Sequence, residues 1–143
     1  MKDEQLERIL KNIDILECKP IIDNYVFYVK KRIKSRISKE NGKYGYGFDE
    51  YEFLVIAPKS EKQGIILRLG TSDLHWLVLH SWRNKHVLSN ALRKDIIHNV
   101  WPENKTITCR YSWRDKVVDR PEKYRMTKHL SEIAGLELID AES

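Results

Sequence analysis

A chain of 143 residues has the length of one ordinary domain and can bury a core without metal or disulfide staples. Apolar residues make up 41% of it and charged residues 33%, with four Trp and seven Tyr along the chain; this excludes disorder and predicts a modest core under a well-solvated surface. The net charge of +5 admits a nucleic-acid partner, an acidic protein partner or a solubility role.

Asp3, Glu4 and Glu7 do not suit a secretory leader. The apolar runs near Ile21–Val29 and Gly64–Leu69 are well short of the ~20 residues that a membrane span requires. The expectation is a cytoplasmic protein without membrane contact. Cys18 and Cys109 stand far apart and outside any CxxC spacing, so they are expected as buried free thiols.

In chain order, Leu6, Ile9, Leu10, Ile13 and Leu16 recur at helical spacing and predict an amphipathic helix from Glu4 to Leu16. Ile22, Val26, Val29, Ile33 and Ile37 predict a second helix from Pro20 to about Ser38, although Tyr25–Val29 also has strand propensity. Gly42–Gly47, with three glycines in six residues, reads as a loop. Three strands follow, Tyr51–Ala57, Gly64–Leu69 and Leu74–Trp82, joined by short polar turns as in an antiparallel meander. His86–Val100 reads as a helix stopped by Trp101-Pro102. Lys105–Trp113 alternates as a strand, with Ile107, Cys109, Tyr111 and Trp113 on one face. A last helix spans Arg120–Ala134, capped by Asp119 and stopped by Gly135. Leu136–Ile139 adds a short edge strand.

This order predicts one α+β domain over residues 1–143. Its architecture is a mainly antiparallel four- or five-stranded meander sheet with helices packed on one face.

The most informative feature for function is the placement of charge. Lys30, Lys31, Arg32, Lys34, Arg36 and Lys39 put six positive charges into ten residues, a pattern suited to phosphate contacts. Immediately after them, Lys43, Tyr44, Tyr46 and Phe48 interleave aromatic rings with glycine, as in segments that stack on bases. Arg110 and Arg114 head a second basic stretch that extends to Lys128. The expectation is a non-catalytic module acting on or beside nucleic acid through Lys30, Lys31, Lys34, Arg36, Lys39, Lys43, Tyr44, Tyr46, Arg110 and Arg114.

Two other readings remain open. Tyr46, Trp82 and Arg83 are of the types enriched at protein interfaces, and would anchor an inhibitor, immunity or anti-defence module of a bacterium or phage. A metal-dependent nuclease would use Asp49, Glu50, Glu52 and Asp73, but the acid-x-Lys spacing is missing from the following strand. His75, His80, His86, His98 and His129 show no HxH or HExxH spacing. No phosphate loop, dinucleotide fingerprint or nucleophile elbow is present, so no cofactor is expected.

Overall fold

Every residue from Phe53 to Ala57 is fully buried. A strand buried on both faces needs a separate cover on each side. The computed structural model describes residues 2–38, 44–70, 73–109 and 111–140, and within them the cover is supplied by elements from both ends of the chain.

The elements are α1 (Asp3–Asn12), β1 (Lys19–Ile22), β2 (Val26–Ser38), β3 (Tyr44–Ile56), β4 (Gly64–Arg68), β5 (Leu74–Val78), α2 (Val87–Leu92), α3 (Ile96–Val100), β6 (Thr106–Cys109), α4 (Pro121–Ile133) and β7 (Glu137–Asp140). Strands β1 to β5 form one antiparallel sheet in sequence order, the expected meander with five strands. Strands β6 and β7 form a separate parallel pair.

Period-two alternation sorts the core into two layers. Val26, Leu54, Ile56 and Ile66 point to the side that carries α2, α3, α4, β6 and β7, where Ala91, Leu92, Ile96, Ile97, Trp101 and Leu130 close over them. Phe27, Phe53, Val55, Ile65, Leu67 and Leu77 point to the other side, where Leu6, Leu10 and Ile13 at the end of α1 meet them. The expected helical cover therefore exists, and α1 adds a second, smaller cover on the opposite face. Cys18 and Cys109 are buried free thiols.

The main correction concerns the second expected helix. Residues 20–38 form β1, a turn and the long strand β2. Ile22, Val26, Val29, Ile33 and Ile37 imitate a helical stripe, but the β-branched and aromatic run Tyr25–Val29 favours extended backbone. The partner that decides the matter is β3, which pairs with β2 without a break from Val26↔Ile56 to Ser38↔Tyr44. The expected loop at 42–47 is likewise shorter: Tyr44–Gly47 lie within β3, and 42–43 fall outside the described residues.

Other boundaries move as well: the first helix ends at Asn12, leaving Leu16 exposed, and the strand expected to reach Trp82 ends at Val78. The expected helix 86–100 is broken into α2 and α3 by Asp95, whose backbone is left-handed at φ 56°. The expected strand 105–113 shortens to β6; Tyr111 is buried, whereas Trp113 is 72% exposed and not part of the core. Asp119 does not cap α4, because Arg120 takes the N-cap position and Asp119 pairs with Arg114 at 3.3 Å.

The turn from α4 into β7 depends on Gly135. Its φ is +73°, and a Cβ there would sit 2.6 Å from Cε1 of His98. The imidazole in turn makes a 2.9 Å hydrogen bond with Asp95, which holds it against that turn. Gly135→Ala is therefore expected to destabilise the protein by about 1–3 kcal/mol, read as a lower midpoint in urea unfolding. His98→Ala combined with Gly135→Ala should recover part of the loss by removing the clash but not the backbone strain.

Candidate nucleic-acid interface

Strand β3 is longer than its neighbour β4. The pairing of β3 with β4 covers only Glu52–Ile56, and that of β1 with β2 covers only Val26–Tyr28. Among the described residues, 31–38 and 44–51 therefore pair only with each other, as a two-stranded ribbon leaving the five-stranded part of the sheet. Eight residue positions, Lys31–Ser38, extend roughly 27 Å at strand rise. The inner half of β2 and β3 is anchored by side chains worth about 1.5–3 kcal/mol each when buried. The ribbon relies on backbone pairing and on cross-strand contacts of about 0.2–1 kcal/mol each, aided at its base by Ile33 and Tyr51 against the α1-side core.

A strand sorts the basic cluster in a way a helix would not. Lys30, Arg32 and Lys34 lie on the face that also holds Tyr28 and Glu52, and Lys31 lies on the α1 face. At the base, Lys30 pairs with Glu50 at 3.1 Å. The guanidinium of Arg32 sits 4.9 Å over the ring of Phe48, which is 60% exposed. The backbone register pairs Arg36 with Tyr46 and Ser38 with Tyr44, in phase with Lys34↔Phe48. Lys39 and Lys43 lie outside the described residues, as do the side chains of Arg36, Tyr44 and Tyr46.

Charge is graded along this ribbon. Lys30, Lys31 and Arg32 near its base are balanced by Asp49, Glu50 and Glu52 on the paired strand. Further out, the sequence from Lys34 to Phe48 holds four cations, Lys34, Arg36, Lys39 and Lys43, against Glu40 alone. In the sequence, the positive excess thus belongs to the segment 34–48.

The ribbon is braced by a polar network that the sequence did not signal. Cross-strand register brings Lys30, Glu52 and Arg68 side by side. Tyr28 Oη donates to Glu52 Oε1 at 2.8 Å, and Arg68 Nη1 donates to Oε2 at 2.9 Å. Arg68 also contacts Glu103 and lies over the ring of Trp101. Burial pushes the Tyr28 phenol up to about 12, helped by the hydrogen bond to Glu52 and its charge. Burial also pushes the Glu52 carboxyl up, but hydrogen bonds from Tyr28 and Arg68 and the charges of Arg68 and Lys30 outweigh it and leave it below its usual value. Beside this network is an open cleft of about 310 Å³ lined by Lys19, Ile21, Tyr28, Glu52, Asn99, Val100 and Trp101.

The second basic stretch behaves differently. Arg110 lies outside the described residues. Arg114 pairs with Asp119, Arg120 with Asp115 at 2.9 Å, and Lys116 with Asp140. The hydrogen bond from Arg120 and one from the Ser112 amide lower the Asp115 carboxyl to about 2. Arg120 and Lys123 line a cleft against β5, three strands along from β2. This stretch is on the same side of the sheet as Lys30, Arg32 and Lys34, toward the opposite edge, and much of its charge is spent in local pairs.

The remaining candidates are dispersed. Trp82 is half-buried under Lys85, and Arg83 is exposed, its Nε donating to the Val78 carbonyl. Neither pairs with the strand segment that holds Tyr46. Asp49 lies on the α1 face, opposite Glu50 and Glu52. Among the described residues no three His, Cys, Asp or Glu side chains gather as a metal site, and no helix is long and apolar enough to cross a membrane. No protein family, curated protein or solved structure matches the chain.

The state of Glu52 makes a pH prediction. Its carboxylate is favoured in the folded chain, so the unfolded chain takes up the proton first as pH falls. Its contribution is complete above its unfolded pKa near 4.5 and is lost as pH drops through the lower folded value. Urea midpoints measured from pH 6 down to about pH 3 should fall more steeply for the wild type than for Glu52→Gln.

Proposed function

We propose that the protein binds nucleic acid, with the β2–β3 ribbon as its contact element. The observation that carries this reading is the basic strand itself: Lys30 to Arg36 form one side of a two-stranded ribbon that projects past β4 and is increasingly cationic away from the core. A two-stranded ribbon has the width to enter a major groove of about 12 Å. Lys31, Lys34, Arg36, Lys39 and Lys43 would neutralise phosphates, and Arg32 with Phe48 would present a flat cation–ring pair at a groove edge or against an unstacked base. Tyr44 and Tyr46 would supply further rings nearer the tip. With Arg114 paired to Asp119, the second basic stretch would have at most an auxiliary part.

A second reading, docking on a protein partner, is favoured by one observation. Trp113, Val117 and Val118 are all more than half exposed, on and just before the turn Asp115–Asp119. A partner there would be an interaction independent of the ribbon.

The test is fluorescence anisotropy of labelled single- and double-stranded DNA and RNA across a salt series. The wild type should lose affinity log-linearly with salt, at about −0.7 to −0.9 per phosphate contacted. Lys31→Ala/Lys34→Ala/Arg36→Ala should flatten that slope by about 2–3, and Trp113→Ala should leave it unchanged. Absence of binding to every oligonucleotide at low salt would overturn the proposal, and so would an unchanged slope in the triple variant.

A further inference from the structure

We infer that the cleft at the ribbon's base is a nucleobase pocket with a guanine-type recognition edge, an inference that rests on the ribbon's being a nucleic-acid surface. The cleft and the cationic face are continuous. Tyr28 stands two residues before Lys30 on the same face of β2, and Glu52 is the direct cross-strand partner of Lys30. A single strand whose phosphates follow Lys34 and Lys30 inward arrives at Glu52.

The lining of the cleft suits a flat ring with polar edges. Ile21, Val100 and Trp101 supply apolar wall, and Tyr28 supplies an aromatic ring. Glu52 supplies the acceptors. Each of its oxygens already receives one hydrogen bond, from Tyr28 or Arg68, and a carboxylate oxygen has two lone pairs, so one site per oxygen remains. Two parallel acceptors match two adjacent N–H donors, and guanine alone among the common bases presents these, at N1 and N2. Arg68 and Tyr28 keep the carboxylate ionised and fixed in orientation, which is what a bidentate contact requires.

Donors stand around the same space. Lys19 and Asn99 are exposed residues lining the cleft and have no side-chain hydrogen-bond partner among the described residues. They can reach a ring oxygen or a phosphate. Trp101 is 2% exposed, and its indole N–H has no acceptor among the described residues. Buried donors normally have a partner, and the guanine carbonyl or the 5′-phosphate could provide an acceptor near this wall after a small adjustment of the indole.

The experiment measures binding of GMP, AMP, CMP and UMP to the full chain by calorimetry, beside wild-type anisotropy with oligonucleotides that carry or lack guanine. GMP is expected to bind at least about tenfold tighter than the other three, the discrimination of one bidentate base contact. Glu52→Gln should remove that preference, because an amide offers one acceptor in place of two. Asn99→Ala and Lys19→Ala change exposed side chains and keep the fold, so they guard against a Glu52→Gln protein that is merely unstable; each should weaken GMP several-fold. Equal binding of all four nucleotides, or no binding of GMP, would overturn the pocket. If oligonucleotides still bind with the expected salt slope in that case, the ribbon reading stands alone. If GMP binds selectively but no oligonucleotide does, the ribbon reading fails and the pocket is a mononucleotide site.

Discussion

Thirteen consecutive antiparallel residue pairs between β2 and β3, Val26↔Ile56 to Ser38↔Tyr44, are the constraint on which the remaining structure depends. At one end of this ladder both strands are buried, and alternation hands one set of side chains to α1 and the other to α2, α3 and α4. At the other end the same two strands continue without neighbours. A single register thus fixes both the core and the projecting element. A one-residue slip would exchange the two faces, moving Leu54 and Phe53 into each other's layers and separating Glu52 from Arg68 and Tyr28.

The charges follow from the same ladder. Beyond β4, Ile33 and Tyr51 still pack toward α1, while the opposite face carries the ionic side chains Lys30, Arg32, Lys34 and Glu50. Close to the core the charges are matched across the strands, as in Lys30–Glu50 and Arg68–Glu52. The exposed Lys30–Glu50 pair adds little stability, but both pairs keep the base of the ribbon neutral. Further along the sequence, from Lys34 to Phe48, cations outnumber acids four to one. The Tyr28–Glu52–Arg68 network sits at the transition, half-buried, with every carboxylate oxygen hydrogen-bonded.

Much of the fold was legible in the sequence because its signals were local. The strands at 51–57, 64–69 and 74–82, the helix after Arg120 and the short strand after Gly135 all carry apolar periodicity bounded by turn residues. Residues 20–38 misled because Ile22, Val26, Val29, Ile33 and Ile37 satisfy a helical period while their β-branched character favours a strand. Only the distant partner 44–56 resolves that conflict. Trp113 was misplaced for a related reason: the alternation from Ile107 continues in the sequence, but among the described residues strand pairing runs only to Cys109, and 111–113 are not in a strand. Of the candidate site, the basic cluster could be read directly. Glu52 was visible only as a carboxylate, and its association with Tyr28, Arg68, Asn99 and Trp101 is a product of register and packing that no local pattern encodes. Asp49, Glu50 and Glu52, adjacent in sequence, are divided between the two faces by the strand they share.

Hydrogen–deuterium exchange of the protein with and without a bound oligonucleotide tests the central claim most directly, because it reports on backbone pairing along the ladder. The account predicts that binding slows exchange of amides in 31–38 and 44–51, while α2, α3 and α4 change little. Protection confined to α4 and the turn before it, with the ribbon unchanged, would contradict it.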